Sequence, residues 1–194
     1  MEANSQRLTF AENKFQIEIA LKYARSMVRY KYAMWKPSMG FPNEDNAPFW
    51  KLNNPVPSKK ILKKKGMCCT GLVNLVRRKM KLKVPGGRSK HAGTTSAWFN
   101  YLKYKKRLQK INFNKSYPKG TLLVQNFNPK DQGHVGIVLT TSKKDITFSK
   151  FIHAISDRIN NIKYNSVTIE KVKNYPRYKR FTHICLPEDW ILKN

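Results

Sequence analysis

The sequence predicts an α+β fold, in which helices near the amino terminus pack on a curved antiparallel sheet formed by the second half of the chain. In the first half, apolar residues recur at helical spacing. From about residue 121 onward they alternate with polar residues, the period of a strand with one buried face. Helices that precede the strands, instead of alternating with them, favour this class. The 194 residues, 40% of them hydrophobic, suit a single domain, 1–194.

The individual elements follow from periodicity and from turn residues. A first helix is predicted over 13–34, and the Pro- and Gly-containing stretch after it predicts an extended loop over 36–66. A second helix over 69–80 begins at Cys69, and a third over 94–108 has Thr94 as its N-cap. Strands are predicted over 121–127, 134–140, 146–155, 166–172 and 181–186, followed by a short tail over 187–194.

Cys69 is the first candidate functional residue, because it lies in the first turn of the second helix. Unpaired backbone N–H groups and the positive end of the helix dipole favour a thiolate there, which predicts a lowered pKa and a nucleophilic sulfur. A free cysteine beside an apolar run is otherwise most often a small buried hydrophobe, and this is our interpretation of Cys185. Cys68 stays open as a lesser candidate for the nucleophile.

Two histidines occupy strand-like segments downstream. His134 shares a strand face with Gly136 and Val138, and His153 lies between Phe151 and Ile155 on its own strand. If the two strands form a hairpin centred on 143–144, His134 and His153 are directly opposite, with Cβ atoms about 5 Å apart. One imidazole would then fix the tautomer and orientation of the other.

The alternatives for these residues are structural or metal-binding. Each histidine could be a satisfied, partly buried side chain, which is our interpretation of His91 and His183. A zinc site formed by Cys68, Cys69, His134 and His153 is disfavoured, because vicinal cysteines do not easily supply two tetrahedral corners and no CxxC or HxxxH spacing occurs. No metal and no cofactor is therefore predicted.

Three motifs resemble the NlpC-type papain-like cysteine peptidases, best known as bacterial cell-wall endopeptidases. Cys69-Thr70-Gly71-Leu72, His134-Val135-Gly136-Ile137 and Phe151-Ile152-His153-Ala154 match this family's motifs in the same order. The resemblance covers about residues 15–156. The chain departs from the family pattern at Cys68, which replaces the usual Asp, at Thr70, which replaces Ser, and at Lys36, where glycine is expected.

The resemblance implies a role for each matching residue. Cys69 would attack a carbonyl, His134 would accept the thiol proton, and His153 would orient His134. The backbone N–H of Cys69 would contribute to an oxyanion hole. Residues expected to line the substrate cleft are Tyr32, Trp35, Cys68 and Thr70. The substrate would be a peptide or another acyl compound.

The charge of the chain indicates a second kind of partner. Lys and Arg number 39 against 11 Asp and Glu, a formal net charge of +28. This excess predicts nonspecific contact with a polyanion, which could be nucleic acid, an anionic membrane or a wall polymer, or contact with capsid proteins. The residues expected to make it are Lys63, Lys64, Lys65, Arg77, Arg78, Lys105, Lys106 and Arg107.

Two classes of function follow. One is a thiol hydrolase, either a peptidase/amidase or an acyl-hydrolase; the other is a catalytically idle basic protein, such as a minor capsid or core protein of a virion. Three cysteines and no segment typical of a signal peptide or a membrane span predict cytoplasmic synthesis. A member of the family encoded by a large DNA virus would combine these features.

Overall fold

The computed structural model describes residues 10–33, 56–85, 93–126, 133–140, 150–159, 162–172 and 179–193, with the backbone alone for 157–159 and 162. The helices are α1 (Phe10–Arg25), α2 (Lys59–Lys65), α3 (Cys69–Lys79), α4 (Thr95–Tyr104) and α5 (Pro187–Ile191). The strands are β1 (Gln109–Lys110), β2 (Leu122–Gln125), β3 (His134–Thr140), β4 (Lys150–Ile159), β5 (Ile162–Lys171) and β6 (His183–Cys185).

These six strands form one sheet in the order β1-β6-β2-β3-β4-β5, and each neighbouring pair is antiparallel. Helix α3 packs on β3 and β4, and α1 packs against α3 and α5. The predicted α+β class, with the cysteine helix on an antiparallel sheet, is therefore confirmed. No helix in the described part of the chain is both long enough and apolar enough to cross a membrane.

Apolar residues fill both faces of the sheet. The face that carries the helices buries the main core, to which β3 and β4 contribute Val135, Ile137, Leu139, Ile152 and Ala154. The opposite face buries a smaller core, formed by Tyr117, Leu123, Val138, Phe151, Ile155, Val172, Phe181 and Ile184. This division confirms the predicted alternation along β3 and β4, because odd and even positions belong to different cores.

Three element predictions were wrong. Helix α1 ends at Arg25, because Arg29 has a positive φ of 72° and the chain then pairs with β5. Helix α2 lies inside the predicted 36–66 loop; Ser58 caps it by accepting from the Ile61 N–H, and its Leu62 is fully buried. The predicted 187–194 tail contains α5, whose Trp190 is fully buried and donates to the Gly120 carbonyl at 2.7 Å.

Candidate active site

Cys69 is the first residue of α3, as the sequence predicted. Cys68 is the N-cap, and its sulfur accepts the backbone N–H of Gly71 at 3.4 Å. The segment leading into the helix is aligned by residues 31–33, since Met67 donates to the Lys31 carbonyl and Ala33 donates to the Met67 carbonyl. Gly66 makes this close approach possible, because a Cβ there would lie 2.4 Å from the Lys31 oxygen.

The sulfur of Cys69 lies where β3 and β4 separate. Strand β3 pairs with β2 from His134 onward, but its pairing with β4 runs only from Ile137 to Thr140. The N–H of Val138 donates to the Thr121 carbonyl, on the β2 side of the strand. Because successive N–H groups of a strand point to opposite sides, the N–H of Val135 points to the β4 side. That N–H is close enough to the Cys69 sulfur to lower the pKa of its thiol. The sulfur therefore lies beside the residue that follows His134.

His134 and His153 form a direct hydrogen bond. Nε2 of His134 lies 2.7 Å from Nδ1 of His153, and the ring centroids are 5.0 Å apart. His153 is fully buried and His134 is partly buried. One of the two bonded nitrogens carries the proton, so each ring fixes the tautomer of the other.

The predicted register between these histidines was wrong, although they share a face as expected. Ile137 pairs with Ile152, so extending this register places position 136, and not position 134, opposite His153. The histidines are diagonal neighbours, which long side chains can still bridge. A slip of two residues keeps every side chain on its original face, and the contact therefore survives the shift.

Two phenylalanines hold the histidine pair. Phe181 stacks on His134 with centroids 5.7 Å apart, and Phe151 packs against His153 at 4.8 Å. Gly136 lies between them, and a Cβ there would come within 3.3 Å of Phe151 and 3.4 Å of Phe181. Sequence reasoning did not single out Phe181, which lies 28 residues beyond His153 and next to strand β6.

The expected lowering of the Cys69 pKa was wrong. Burial raises the pKa of Cys69 to about 12, and the neighbouring Cys68 adds to the rise. The backbone N–H groups of Val135, Thr70 and Cys69 itself act in the opposite direction but do not prevail. The favourable field of the helix end is therefore outweighed by desolvation, and the resting sulfur is a protonated thiol at neutral pH.

His153 is also neutral in the resting state. Burial lowers the pKa of His153 well below its ordinary value, and the charge of a protonated His134 would lower it further. A neutral thiol and a neutral His153 hold no ion pair in the resting state, so any charge separation would have to arise during a reaction.

Three of the four predicted cleft residues, Tyr32, Cys68 and Thr70, lie within the described residues. Tyr32 lies beside the two cysteines: burial raises the pKa of its hydroxyl, and the Cys69 and Cys68 thiols add to the rise. Thr70 is buried, with Oγ1 3.4 Å from the Cys68 sulfur. Trp35, like His91, lies outside the described residues.

The structure buries two of the predicted polyanion contacts, Arg77 and Arg78. Arg77 is 1% exposed; it donates to the carbonyls of Lys83 and Trp190 and to the Tyr101 hydroxyl, and burial lowers the pKa of its guanidinium. Arg78 is 7% exposed. Burial therefore argues against Arg77 as a contact for an external polymer and makes Arg78 a weak candidate.

The other predicted contacts reach the surface. Lys63, Lys64, Lys105 and Lys106 are exposed, and Lys65 and Arg107 are half-buried. Arg107 also has a structural role, because its Nη1 donates to the Asp189 carbonyl at 3.1 Å.

Within the described residues, no group of three or more His, Cys, Asp or Glu side chains is arranged to hold a metal ion. Comparison with protein-family models and with curated proteins gave no match to this chain.

Proposed function

We propose that this protein is a papain-like thiol hydrolase of the NlpC type, which cleaves an amide or another acyl bond through a covalent intermediate on Cys69. One observation carries the proposal. The backbone N–H of Val135 lies close enough to the Cys69 sulfur to lower its pKa, and the preceding residue, His134, is hydrogen-bonded to His153. The order of these residues along the chain and in the fold is the one that a thiol, a base and an orienting group would need for nucleophilic catalysis.

The reaction would proceed in two steps. Cys69 transfers its S–H proton to Nδ1 of His134 while the sulfur attacks the carbonyl carbon. The tetrahedral intermediate then collapses, and His134 returns the proton to the leaving amine or alcohol. Water attacks the resulting thioester with His134 as base, which releases the acid and restores the thiol. The N–H groups of Cys69, Thr70 and Val135, which surround the sulfur, would stabilise the oxyanion.

The histidine pair would decide which nitrogen of His134 is the base. If Nε2 of His134 donates to Nδ1 of His153, then Nδ1 is the unprotonated nitrogen of the neutral His134 ring and would be the one to accept the thiol proton. Because the resting thiol and His153 are neutral, the proton would move as the sulfur–carbon bond forms. We therefore expect acylation to be slower in D2O than in H2O.

The alternative is a catalytically idle basic protein that has kept the fold. The observation that favours it is the burial of Cys69, which is 9% exposed and whose pKa is raised to about 12. A buried thiol without a depressed pKa is usually inert.

The test is acylation by p-nitrophenyl acetate, followed by release of p-nitrophenol and by the mass of the intact protein. The proposal predicts a burst of one equivalent, with the acetyl group on the peptide that contains Cys69. His134→Ala should slow acylation by about 100-fold or more, the usual contribution of a general base. His153→Ala should cause a smaller loss, because it removes orientation only.

Cys185 is the matched control, since it is a second buried thiol whose pKa burial also raises to about 12. Cys185→Ser should leave the burst unchanged and Cys69→Ser should abolish it. Acetylation of both cysteines at equal rates, or acylation of Cys69 that does not depend on His134, would refute the enzyme and leave the idle basic protein.

A further inference from the structure

The carboxyl end of α4 and the adjoining strand β1 carry four exposed lysines and one exposed aromatic ring. This set is Lys103, Tyr104, Lys105, Lys106 and Lys110, which we call the α4–β1 surface. All five side chains are exposed, and Tyr104 is 83% exposed. Strand β1 is the edge of the sheet, so this surface lies at one border of the molecule.

Helix stability accounts for only part of this composition. Lysines near the end of a helix complement its dipole. That effect explains neither an exposed tyrosine between them nor Lys110, which lies beyond the helix. Lys106 has a positive φ of 55°, at the position after a helix where glycine is usual and a lysine is strained. The chain therefore keeps a cation here against its local backbone preference.

Few acids neutralise this surface. Between Asp45 and Asp131 the sequence has 21 Lys and Arg and no Asp or Glu. Asp189 approaches from α5, where its backbone carbonyl accepts from Arg107, but its carboxylate is paired with Lys193 at 3.0 Å. The positive potential of the α4–β1 surface is thus largely uncompensated by Asp189.

We propose that the α4–β1 surface binds single-stranded nucleic acid, with the lysines on the phosphates and the Tyr104 ring stacked on a base. Cations that follow a backbone, combined with an exposed aromatic ring, are what sequence-independent binding of single strands uses. A duplex keeps its bases stacked and offers none to Tyr104. An anionic membrane would be favoured by apolar residues able to insert, whereas the neighbouring exposed residues are Gln109, Asn112 and Asn114.

The experiment is fluorescence anisotropy with a labelled oligothymidylate at several salt concentrations, using the full chain. Tyr104→Ala should weaken binding about tenfold at fixed salt, the order expected for one lost stacking contact. Replacing Lys103, Lys105 and Lys106 together by Gln should lower the slope of log K against log salt by about 2, because each phosphate contact contributes about 0.7 in a single strand.

The matched control removes the same charge near the opposite edge of the sheet, by replacing Lys150 of β4 and Lys163 and Lys171 of β5 by Gln; all three are exposed. This variant should keep the wild-type salt slope and affinity within about twofold. Equal weakening by both triple variants would overturn the proposal in favour of binding by net charge alone. Unchanged binding by Tyr104→Ala would overturn the stacking arrangement.

Two further comparisons identify the partner and separate this surface from the chemistry. A labelled duplex of the same length should bind more weakly than the single strand, and phosphatidylserine vesicles should not compete at equal phosphate concentration. Preference for the duplex or for vesicles would overturn the proposal. Tyr104→Ala should leave the acetylation burst unchanged, and Cys69→Ala should bind oligothymidylate as the wild type does, so either proposal can fail without the other.

Discussion

Arg77 gives the sharpest test of the structure, because the sequence and the structure assign it opposite roles. The sequence places it in a basic run that would contact a polyanion, whereas the structure buries its guanidinium between the carbonyls of Lys83 and Trp190 and the Tyr101 hydroxyl. The substitution Arg77→Met keeps much of the apolar stem and removes every donor.

The expected loss can be worked from these contacts. The buried carbonyl of Trp190 and the part-buried carbonyl of Lys83 each lose a charged donor. A buried group left without a partner costs about 1–3 kcal/mol. Removing a buried charge recovers part of its desolvation cost. We therefore expect the free energy of unfolding to fall by about 3 kcal/mol, which for a chain of this length lowers Tm by about 6–12 °C.

The assay is urea unfolding and thermal melting followed by circular dichroism, with Lys64→Met as the control. That variant removes the same charge and adds the same side chain at an exposed position of α2, so its free energy of unfolding should stay within about 0.5 kcal/mol of the wild type. If Arg77→Met were as stable as Lys64→Met, the buried contacts of Arg77 would be refuted.

Three further predictions concern the site and its supports. Gly66→Ala should lower the free energy of unfolding by more than about 2 kcal/mol, because φ 83° and ψ −172° are essentially restricted to glycine and the new Cβ would overlap the Lys31 oxygen. In urea unfolding, the control Gly136→Ala should lose less stability, because its Cβ would meet nothing closer than 3.3 Å. Equal losses would contradict the packing at Gly66. Because the pKa of His153 is lowered in the folded protein, the unfolded chain binds more protons below about pH 6.5. The free energy of unfolding should therefore fall by up to about 1.4 kcal/mol per pH unit as the pH drops. The urea midpoint of His153→Gln should depend less on pH, and an unchanged dependence would exclude a buried neutral His153. Because the pKa of Cys69 is raised to about 12, the folded protein keeps a proton that the unfolded chain loses above about pH 9. The free energy of unfolding should therefore fall as the pH rises from 9. In alkaline urea titrations Cys69→Ser should remove about one proton of that dependence, and identical slopes of stability against pH would count against the raised pKa.

Local sequence determines the elements around the candidate site. The cysteine helix has a capping residue, a first turn with unpaired N–H groups and an apolar stripe, and all three are encoded within twelve residues. The strands that carry His134 and His153 alternate clearly enough to assign each side chain to a face. The α+β class and the shared face of the histidines follow from these features.

Features that depend on distant parts of the chain could not be predicted. The partners of Arg77 include the carbonyl of Trp190, which is 113 positions away, so its helix position alone indicated a solvated cation. The direction of the helix dipole can be inferred from the sequence, but the burial that raises the pKa of Cys69 depends on packing against β3. A hairpin slip of two residues leaves the period unchanged, so alternation cannot detect it.

The separation of β3 from β4 would make fold stability and the proposed chemistry compete at one point in the sheet. Cys69 belongs to the core on the helix side, while His134 packs on Phe181 of the opposite core. If the hydrogen bonds between β3 and β4 continued to His134, the sheet would separate the helix-side core from the opposite core at this point. Substitutions selected only for a tighter sheet would tend to continue the ladder from Ile137 toward His134 and take the Val135 N–H from the sulfur. We would therefore expect stabilised variants to include some that have lost the site. The backbone pairing would then set rigidity against the proposed activity.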